Sequence, residues 1–140
     1  MRRRDQGSAL IEAAFVLPVF ALLLCGSLDI ASLLRLNQVA ISAARAGIHR
    51  ALQSDPHSLD LTAIEAAAMA DAGAGFTARA ERVCACSPDE PAVSCAAAKC
   101  GASRVSYIRV ETRAELKPFI RYPGMGNAFH VQSAAMARVE

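Results

Sequence analysis

An uncharged apolar run near the N-terminus limits what this 140-residue chain can fold into. From Ala13 to Leu28 no residue is charged, and Leu, Val, Phe and Ala dominate. Extended back to Ser8, the stretch is 21 residues long and is interrupted only by Glu12. About 20 apolar residues cross a bilayer as a helix. The sequence therefore predicts one membrane-spanning helix, which contacts the lipid bilayer, followed by one modest domain.

The charge distribution predicts how this helix is oriented. The first seven residues account for the whole formal net charge of +2, because they include Arg2, Arg3 and Arg4 and a single acidic residue. Positive charge before a membrane segment favours a cytoplasmic N-terminus and an exported C-terminal part. The remaining chain is neutral overall and lacks the basic surface that nucleic-acid binding requires. We therefore expect no nucleic-acid partner.

Three simpler interpretations of the apolar run stay open. A cleaved secretory signal needs a small-x-small site, and residues 24–27 offer only Leu-Cys-Gly-Ser. A lipoprotein signal acylated at Cys25 would normally have a small residue before the cysteine, where this chain has Leu24. A plain signal anchor explains the hydrophobicity but not Glu12, since an intramembrane carboxylate costs about 3 kcal/mol or more.

The N-terminal residues form a recognisable arrangement, MRRRDQ-G-SALIE-AAFVLP. A basic leader ends at Gly7, Glu12 is the fifth residue after it, and the apolar run follows. This arrangement resembles the processing site of type IV prepilins, which a membrane-embedded aspartic peptidase cuts after the glycine on the cytoplasmic face. The resemblance implies a prepilin peptidase as partner and cleavage between Gly7 and Ser8. A glycine suits this position because its backbone can approach an active site closely.

Two further residues of this segment have expected roles. In pilins the residue equivalent to Glu12 is thought to align the incoming subunit by pairing with the N-terminal amine of a neighbour, which here would be Ser8. Such an ion pair is better evidence that neighbouring subunits are aligned in a fixed register than that the pair adds stability. Pro18 removes a hydrogen bond from a helix interior and predicts a kink, which transmembrane helices tolerate.

The similarity extends along the helix. The matching positions are Gly7, Ala9, Glu12, Pro18, the Leu22–Leu24 run, Gly26, Asp29 and the Ala-Ala-Arg-Ala-Gly sequence of residues 43–47. Over roughly residues 7–50 the chain resembles the TadE-like family of the tight-adherence (Flp, type IVb) pilus systems. It departs from the family at Ala13, where phenylalanine is common.

This resemblance implies a minor pilin or pseudopilin that takes part in pilus assembly, priming or tip formation. The implied partners are other minor pilins, the major pilin and the inner-membrane pilus assembly platform. The implied location is the bacterial inner membrane, crossed once, with a periplasmic C-terminus, or the extracellular pilus after assembly. Two alternatives remain: a membrane scaffold that does not enter the filament, and a signal-anchored exported binding domain unrelated to pili.

The rest of the chain predicts an α+β fold. Apolar residues recur at helical spacing after Asp29, namely Ile30, Leu33, Leu34, Ile41, Ala44, Ile48 and Leu52. We therefore expect three regions: a cleaved leader (1–7), a spine helix (8–53), and a globular region (54–140). The globular region should contain a short helix (about 60–72), capped by Asp60 or by a Thr62–Glu65 capping box. It should also contain a three-stranded antiparallel sheet, with strands at 76–86, 105–116 and 129–139. Residues 117–127 are expected to form a loop between the last two strands.

Four cysteines cluster in the predicted exported region: Cys84, Cys86, Cys95 and Cys100. Disulfides persist in such compartments and stabilise small domains. Cys84 and Cys86 would share one face of a strand too far apart to bond each other. We expect the pairs Cys86–Cys95 and Cys84–Cys100. There are two alternatives. One is a zinc site with four thiolate ligands, although the C-x2-C spacings usual for such sites are missing here. The other is that the thiols stay reduced. The remaining thiol, inside the apolar run, is expected to be inert.

No residue pattern predicts catalysis. The three histidines, His49, His57 and His130, are scattered and lie beside no nucleophile signature or metal-ligand spacing. Asp55, Asp60 and Asp71 suit turn and cap roles better than paired acid–base roles. We expect no catalytic residue, no cofactor and no metal; Gly7, Ser8 and Glu12 are features of a peptidase substrate.

Overall fold

The computed structural model describes residues 5–55, 58–87, 90–100, 104–121, 124 and 126–139 of the chain. Two helices, α1 (Asp5–Leu52) and α2 (Leu61–Ala72), precede an antiparallel sheet. Its strands are β1 (Phe76–Ala85), β2 (Val93–Ser94), β3 (Val105–Leu116) and β4 (Phe129–Arg138). The predicted α+β fold is confirmed.

The first helix, α1, runs without interruption for 48 residues, or about 72 Å. Pro18 lies inside it, and the helix continues on both sides. Proline removes one backbone donor from a helix, and a helix of this length retains enough other hydrogen bonds to continue past it. The predicted spine helix is therefore confirmed, whereas the kink at Pro18 stays a prediction.

The sheet has the strand order β2-β1-β3-β4, and all neighbours are antiparallel. The long pairings join Phe76 with Ala114 in β1 and β3, and Leu116 with Phe129 in β3 and β4. The sequence analysis predicted three strands and missed β2, which pairs with Val83 and Cys84 only. Two residues are too few to show the alternation by which a strand is recognised.

One face of the sheet packs on the helices, and the other faces away from them. Along β3, Ile108, Val110 and Thr112 are buried against the helices. The residues between them point to the opposite face, where Arg113 forms an ion pair of 2.7 Å with Glu111. The Arg113 side chain of this pair is exposed, whereas that of Glu111 is mostly covered. The core lies on the helix-facing side, where Ile108 and Val110 are fully buried.

The second half of α1 packs on the sheet through small residues. The buried positions of this segment, at helical spacing, are Ala40, Ala43, Ala44, Gly47 and Ala51. A Cβ atom on Gly47 would lie 2.9 Å from Val110 Cγ1 and 3.2 Å from Ala68 Cβ. Because α1, α2 and β3 meet at this point, only glycine fits without a shift of its neighbours.

The structure confirms only part of the apolar stripe predicted after Asp29. Ala44 is buried, and Leu33 and Ile48 pack against the core. Ile30, Leu34 and Leu52 are exposed. The buried stripe follows the alanines instead, because small side chains let the sheet approach the helix closely. Thr112 Oγ1 donates a hydrogen bond of 2.8 Å to the backbone oxygen of Ala40, which shows how near the two backbones come.

The start of α2 also differs in part from the expectation. Asp60 is the N-cap, and its carboxylate accepts hydrogen bonds from the backbone N–H groups of Thr62 and Ala63. The hydrogen bond from the Thr62 hydroxyl, followed by that from the Ala63 N–H, lowers the pKa of Asp60 below its usual value. Glu65 does not complete a capping box; it accepts a 2.8 Å hydrogen bond from the N–H of Ala80. Because β2 pairs with β1 only at Val83 and Cys84, the Ala80 N–H has no partner on β2, and the Glu65 carboxylate accepts its hydrogen bond.

Candidate functional site

The first half of α1 exposes large apolar side chains along its whole length. Eleven of them between Leu10 and Leu28 are 50 to 75% exposed: Leu10, Ile11, Phe15, Val16, Leu17, Val19, Phe20, Leu22, Leu23, Leu24 and Leu28. The helix is long and apolar enough to cross a membrane, and its most apolar window is not buried by the rest of the chain. A soluble core helix would be covered by its own domain, so this segment fits a membrane anchor.

The expected processing residues lie at the start of this helix. Gly7 and Ser8 are in the first turns of α1, and Arg2, Arg3 and Arg4 lie outside the described residues. Glu12 is exposed, and no ion pair within the described residues involves it. A cation that neutralises this carboxylate must therefore come from outside the described part of the chain.

Polar side chains at the other end of the apolar segment are satisfied within the helix. Ser27 Oγ donates to the backbone oxygen of Leu24 at 2.7 Å, and Ser32 Oγ donates to that of Leu28 at 2.8 Å. Such bonds reduce the cost of placing a hydroxyl among lipid chains. These serines are therefore compatible with a membrane-spanning helix.

Asp29 joins the apolar half of α1 to the domain. Its side chain is buried, with 5% of the residue exposed. Its Oδ1 atom accepts a hydrogen bond of 2.9 Å from the backbone N–H of Phe119, in the segment after β3. From the sequence, Asp29 was recognised only as a position that matches the family, and no role was predicted for it. The available signal was its place, as the first charge after the apolar run.

The four clustered cysteines form two disulfides, but the predicted pairing was wrong. The bonds are Cys84–Cys95 and Cys86–Cys100, with Cα–Cα distances of 4.7 and 5.1 Å. Cys84 lies opposite Val93 in the β1–β2 pair, which places Cys95 diagonally across from it on the same face. Bonding Cys95 to Cys86 would need β2 to slide out of this register. The paired sulfurs also leave no thiolates for the zinc alternative.

The chain reverses direction after β2 and brings the last cysteine back to β1. The backbone N–H groups of Ala97 and Ala98 both donate to the oxygen of Ser94, at 2.8 and 3.0 Å. This turn could not be read from the alanine-rich sequence, which lacks turn residues. Cys25 is free and exposed on the apolar helix.

The residues considered for catalysis are dispersed in the structure. His49 forms a 3.0 Å hydrogen bond with Gln53, His130 is exposed on the sheet, and His57 lies outside the described residues. Asp71 accepts a hydrogen bond of 2.8 Å from Ser42, which ties α2 to α1. Within the described ranges, no three His, Cys, Asp or Glu side chains are grouped as metal ligands would be.

Comparison with known proteins gives one match. No curated protein and no solved structure matches the chain. The family model described as TadE-like protein matches residues 7–49, about a third of the chain. The match covers the residues expected to form the processing site, the apolar segment and the first part of the small-residue stripe. The predicted resemblance is therefore confirmed over residues 7–49, where the chain is similar to the TadE-like family.

Proposed function

We propose that this chain is a minor pilin or pseudopilin of a tight-adherence pilus. It is held in the bacterial inner membrane by the apolar half of α1, with its domain on the periplasmic side. A prepilin peptidase cuts it after Gly7, and the mature chain begins at Ser8. The protein then joins other pilins through α1 and takes part in pilus assembly.

The observation that supports this function best is the exposed Glu12 on an exposed apolar helix. A carboxylate in that position is costly in lipid unless a cation neutralises it. No described residue of the chain pairs with it. Cleavage after Gly7 would create a free amine at Ser8, and the amine of a neighbouring subunit is a suitable partner.

The globular region supports the proposed orientation. Two disulfides hold β2 and the segment after it to β1. Disulfides of this kind are typical of oxidising compartments and rare in the cytoplasm. The basic residues before α1 favour a cytoplasmic N-terminus. Both features agree with an exported domain.

N-terminal sequencing and intact-mass analysis of protein from host membranes test the processing step. We expect a chain that starts at Ser8 and has lost four hydrogens to the two disulfides. Gly7→Leu should block cleavage, because a side chain prevents close approach of the backbone to the peptidase. Ala21→Leu, on the exposed part of the same helix, is the matched control and should be cut normally. A mature chain that still starts at Met1 would contradict the proposal.

Entry into the filament is tested separately with Glu12→Gln. We expect this variant to be processed and to remain in the membrane, but to be lost from sheared pili, because the uncharged side chain no longer attracts a neighbour's amine. Glu115→Gln, which changes an exposed carboxylate of β3, should enter pili like the unmodified protein. Finding the unmodified chain in membranes but never in pili would favour a scaffold role.

A further inference from the structure

The segment that follows β3 has an unusual composition for a surface loop. It comprises Lys117, Pro118, Phe119, Ile120 and Arg121, which we call the interfacial loop. Phe119 is 82% exposed, more than any other large apolar side chain of the described residues. The side chains nearest to it in exposure, Phe15 and Leu10, both lie on the apolar half of α1. Phe119 is thus at least as exposed as the large side chains on the apolar half of α1.

The position of the loop along α1 explains this exposure. The backbone N–H of Phe119 is bonded to the carboxylate of Asp29, so the loop lies at the level of that residue. On α1, exposed apolar side chains continue beyond Asp29 to Ile30 and Leu34, and the next charged residue is Arg35. Since Asp29 precedes Leu34 by five residues, it lies about 7.5 Å closer to the middle of the apolar segment. The loop therefore lies beside the last turns of that segment.

The length of the apolar segment places these turns at a membrane surface. From Ala13 to Leu34, Asp29 is the sole charged residue. These 22 residues span about 33 Å as a helix, close to the hydrocarbon thickness of about 30 Å. If Glu12 lies at one boundary, Asp29, which is 17 residues further along the helix or about 25 Å away, lies within about 5 Å of the other boundary. The domain is then too close to the bilayer for the interfacial loop to remain in bulk water.

We propose that the interfacial loop inserts into the lipid headgroup region of the leaflet on the domain's side. Phe119 enters the boundary between headgroups and acyl chains, where aromatic side chains are favoured. Lys117 and Arg121, both exposed, extend toward the lipid phosphates with their apolar stems along the boundary. Asp29 is the positioning residue, because its carboxylate holds the loop at this depth.

This contact gives the domain a fixed height and rotation relative to the bilayer. It rests on the proposal that α1 spans a membrane, but it does not need the chain to be processed or to enter a filament. A subunit that leaves the membrane for a filament would have to withdraw Phe119 from the lipid. The loop would then become available to a neighbouring subunit.

Single-tryptophan fluorescence tests the proposal directly, because the natural sequence contains no Trp. The full chain is reconstituted in vesicles of phosphatidylcholine and phosphatidylglycerol whose acyl chains are brominated either near the headgroup or near the methyl end. Phe119→Trp is the test variant. Leu23→Trp reports the middle of the span, and Leu52→Trp reports the far end of α1, about 35 Å from the level of Asp29.

We expect the Phe119→Trp protein to fluoresce at shorter wavelength than the Leu52→Trp protein, and to be quenched more by shallow bromines than by deep ones. Leu23→Trp should be quenched most by deep bromines, and Leu52→Trp by neither. Adding Asp29→Ala to Phe119→Trp should reduce the shallow quenching.

Three results would overturn the proposal. If Phe119→Trp behaves like Leu52→Trp while Leu23→Trp is quenched, the span exists but the loop does not touch lipid. If Leu23→Trp is not quenched either, the membrane anchor itself fails. The third result is a blue shift of Phe119→Trp that grows with the number of protein chains per vesicle and is not accompanied by bromine quenching. It would mean that the loop contacts another protein subunit and not lipid.

Discussion

The two halves of α1 bury their apolar surface in different ways. Before Asp29 the helix presents Leu, Val and Phe on all sides, and nothing in the described chain covers them. After it, the buried positions are alanines and one glycine, packed under the sheet. Large side chains suit fluid lipid, which adapts to them, whereas a rigid sheet needs small residues to come close. One continuous helix therefore combines a surface suited to contact with lipid and a surface suited to close packing on a sheet.

The cysteines give the largest expected difference between the apolar half of α1 and the domain that packs on its second half. Removing either disulfide, with Cys84→Ala/Cys95→Ala or Cys86→Ala/Cys100→Ala, should cost the domain roughly 2–5 kcal/mol, because the unfolded chain gains freedom. Urea unfolding in detergent micelles, followed by circular dichroism, measures this loss. Cys25→Ala, on the exposed apolar half of α1, is the control and should leave the transition unchanged. Equal effects at all three sites would mean that the apolar half of α1 and the domain unfold as one unit.

A pair of leucine substitutions on α1 tests the packing difference itself. Gly47→Leu should destabilise the domain by about 1–3 kcal/mol, since the new side chain meets Val110 and Ala68. Ala21→Leu, on the exposed first half, should change domain stability very little and keep the segment apolar. Thermal unfolding in the same micelles compares the two variants. A stable Gly47→Leu protein would mean that α1 and the sheet can separate at little cost.

The sequence predicted the parts of this fold that have a regular period. The spine helix, α2, β1, β3 and β4 were each placed to within a few residues, because apolar residues recur at helical or alternating spacing. The buried face of α1 was predicted less well. A hydrophobicity pattern gives Ile30 and Leu34 more weight than Ala40 or Gly47, although close packing selects the small residues.

The remaining misses depended on contacts between distant residues. The disulfide pairing follows from the register of β2 on β1, which two residues could not reveal. The roles of Glu65 and Asp29 depend on Ala80 and Phe119, which lie 15 and 90 positions away. For the site, the prepilin-like arrangement at Gly7 and Glu12 was visible in the sequence. The link between Asp29 and the interfacial loop needed the fold.

The smallest expected effect is a pH dependence of the domain's stability, which arises from a carboxylate exposed to water. Asp60 caps α2, and its pKa is lowered in the folded protein by the hydrogen bonds from Thr62 and Ala63. A lowered folded-state pKa means that the carboxylate stabilises the fold above its ordinary value of 3.8. This contribution is lost as the pH falls through the lowered value.

A comparison with Asp60→Asn isolates this contribution, because asparagine also caps helices but does not titrate. We expect the unmodified protein to be slightly more stable near neutral pH. Below the ordinary value the advantage should shrink, and it should vanish once the folded carboxyl is protonated. Thermal unfolding midpoints in a nonionic detergent measure the difference, with Glu115→Gln as the control for a general change in charge. If the gap between Asp60→Asn and the unmodified protein instead stays constant down to strongly acidic pH, the cap acts through its shape and not its charge.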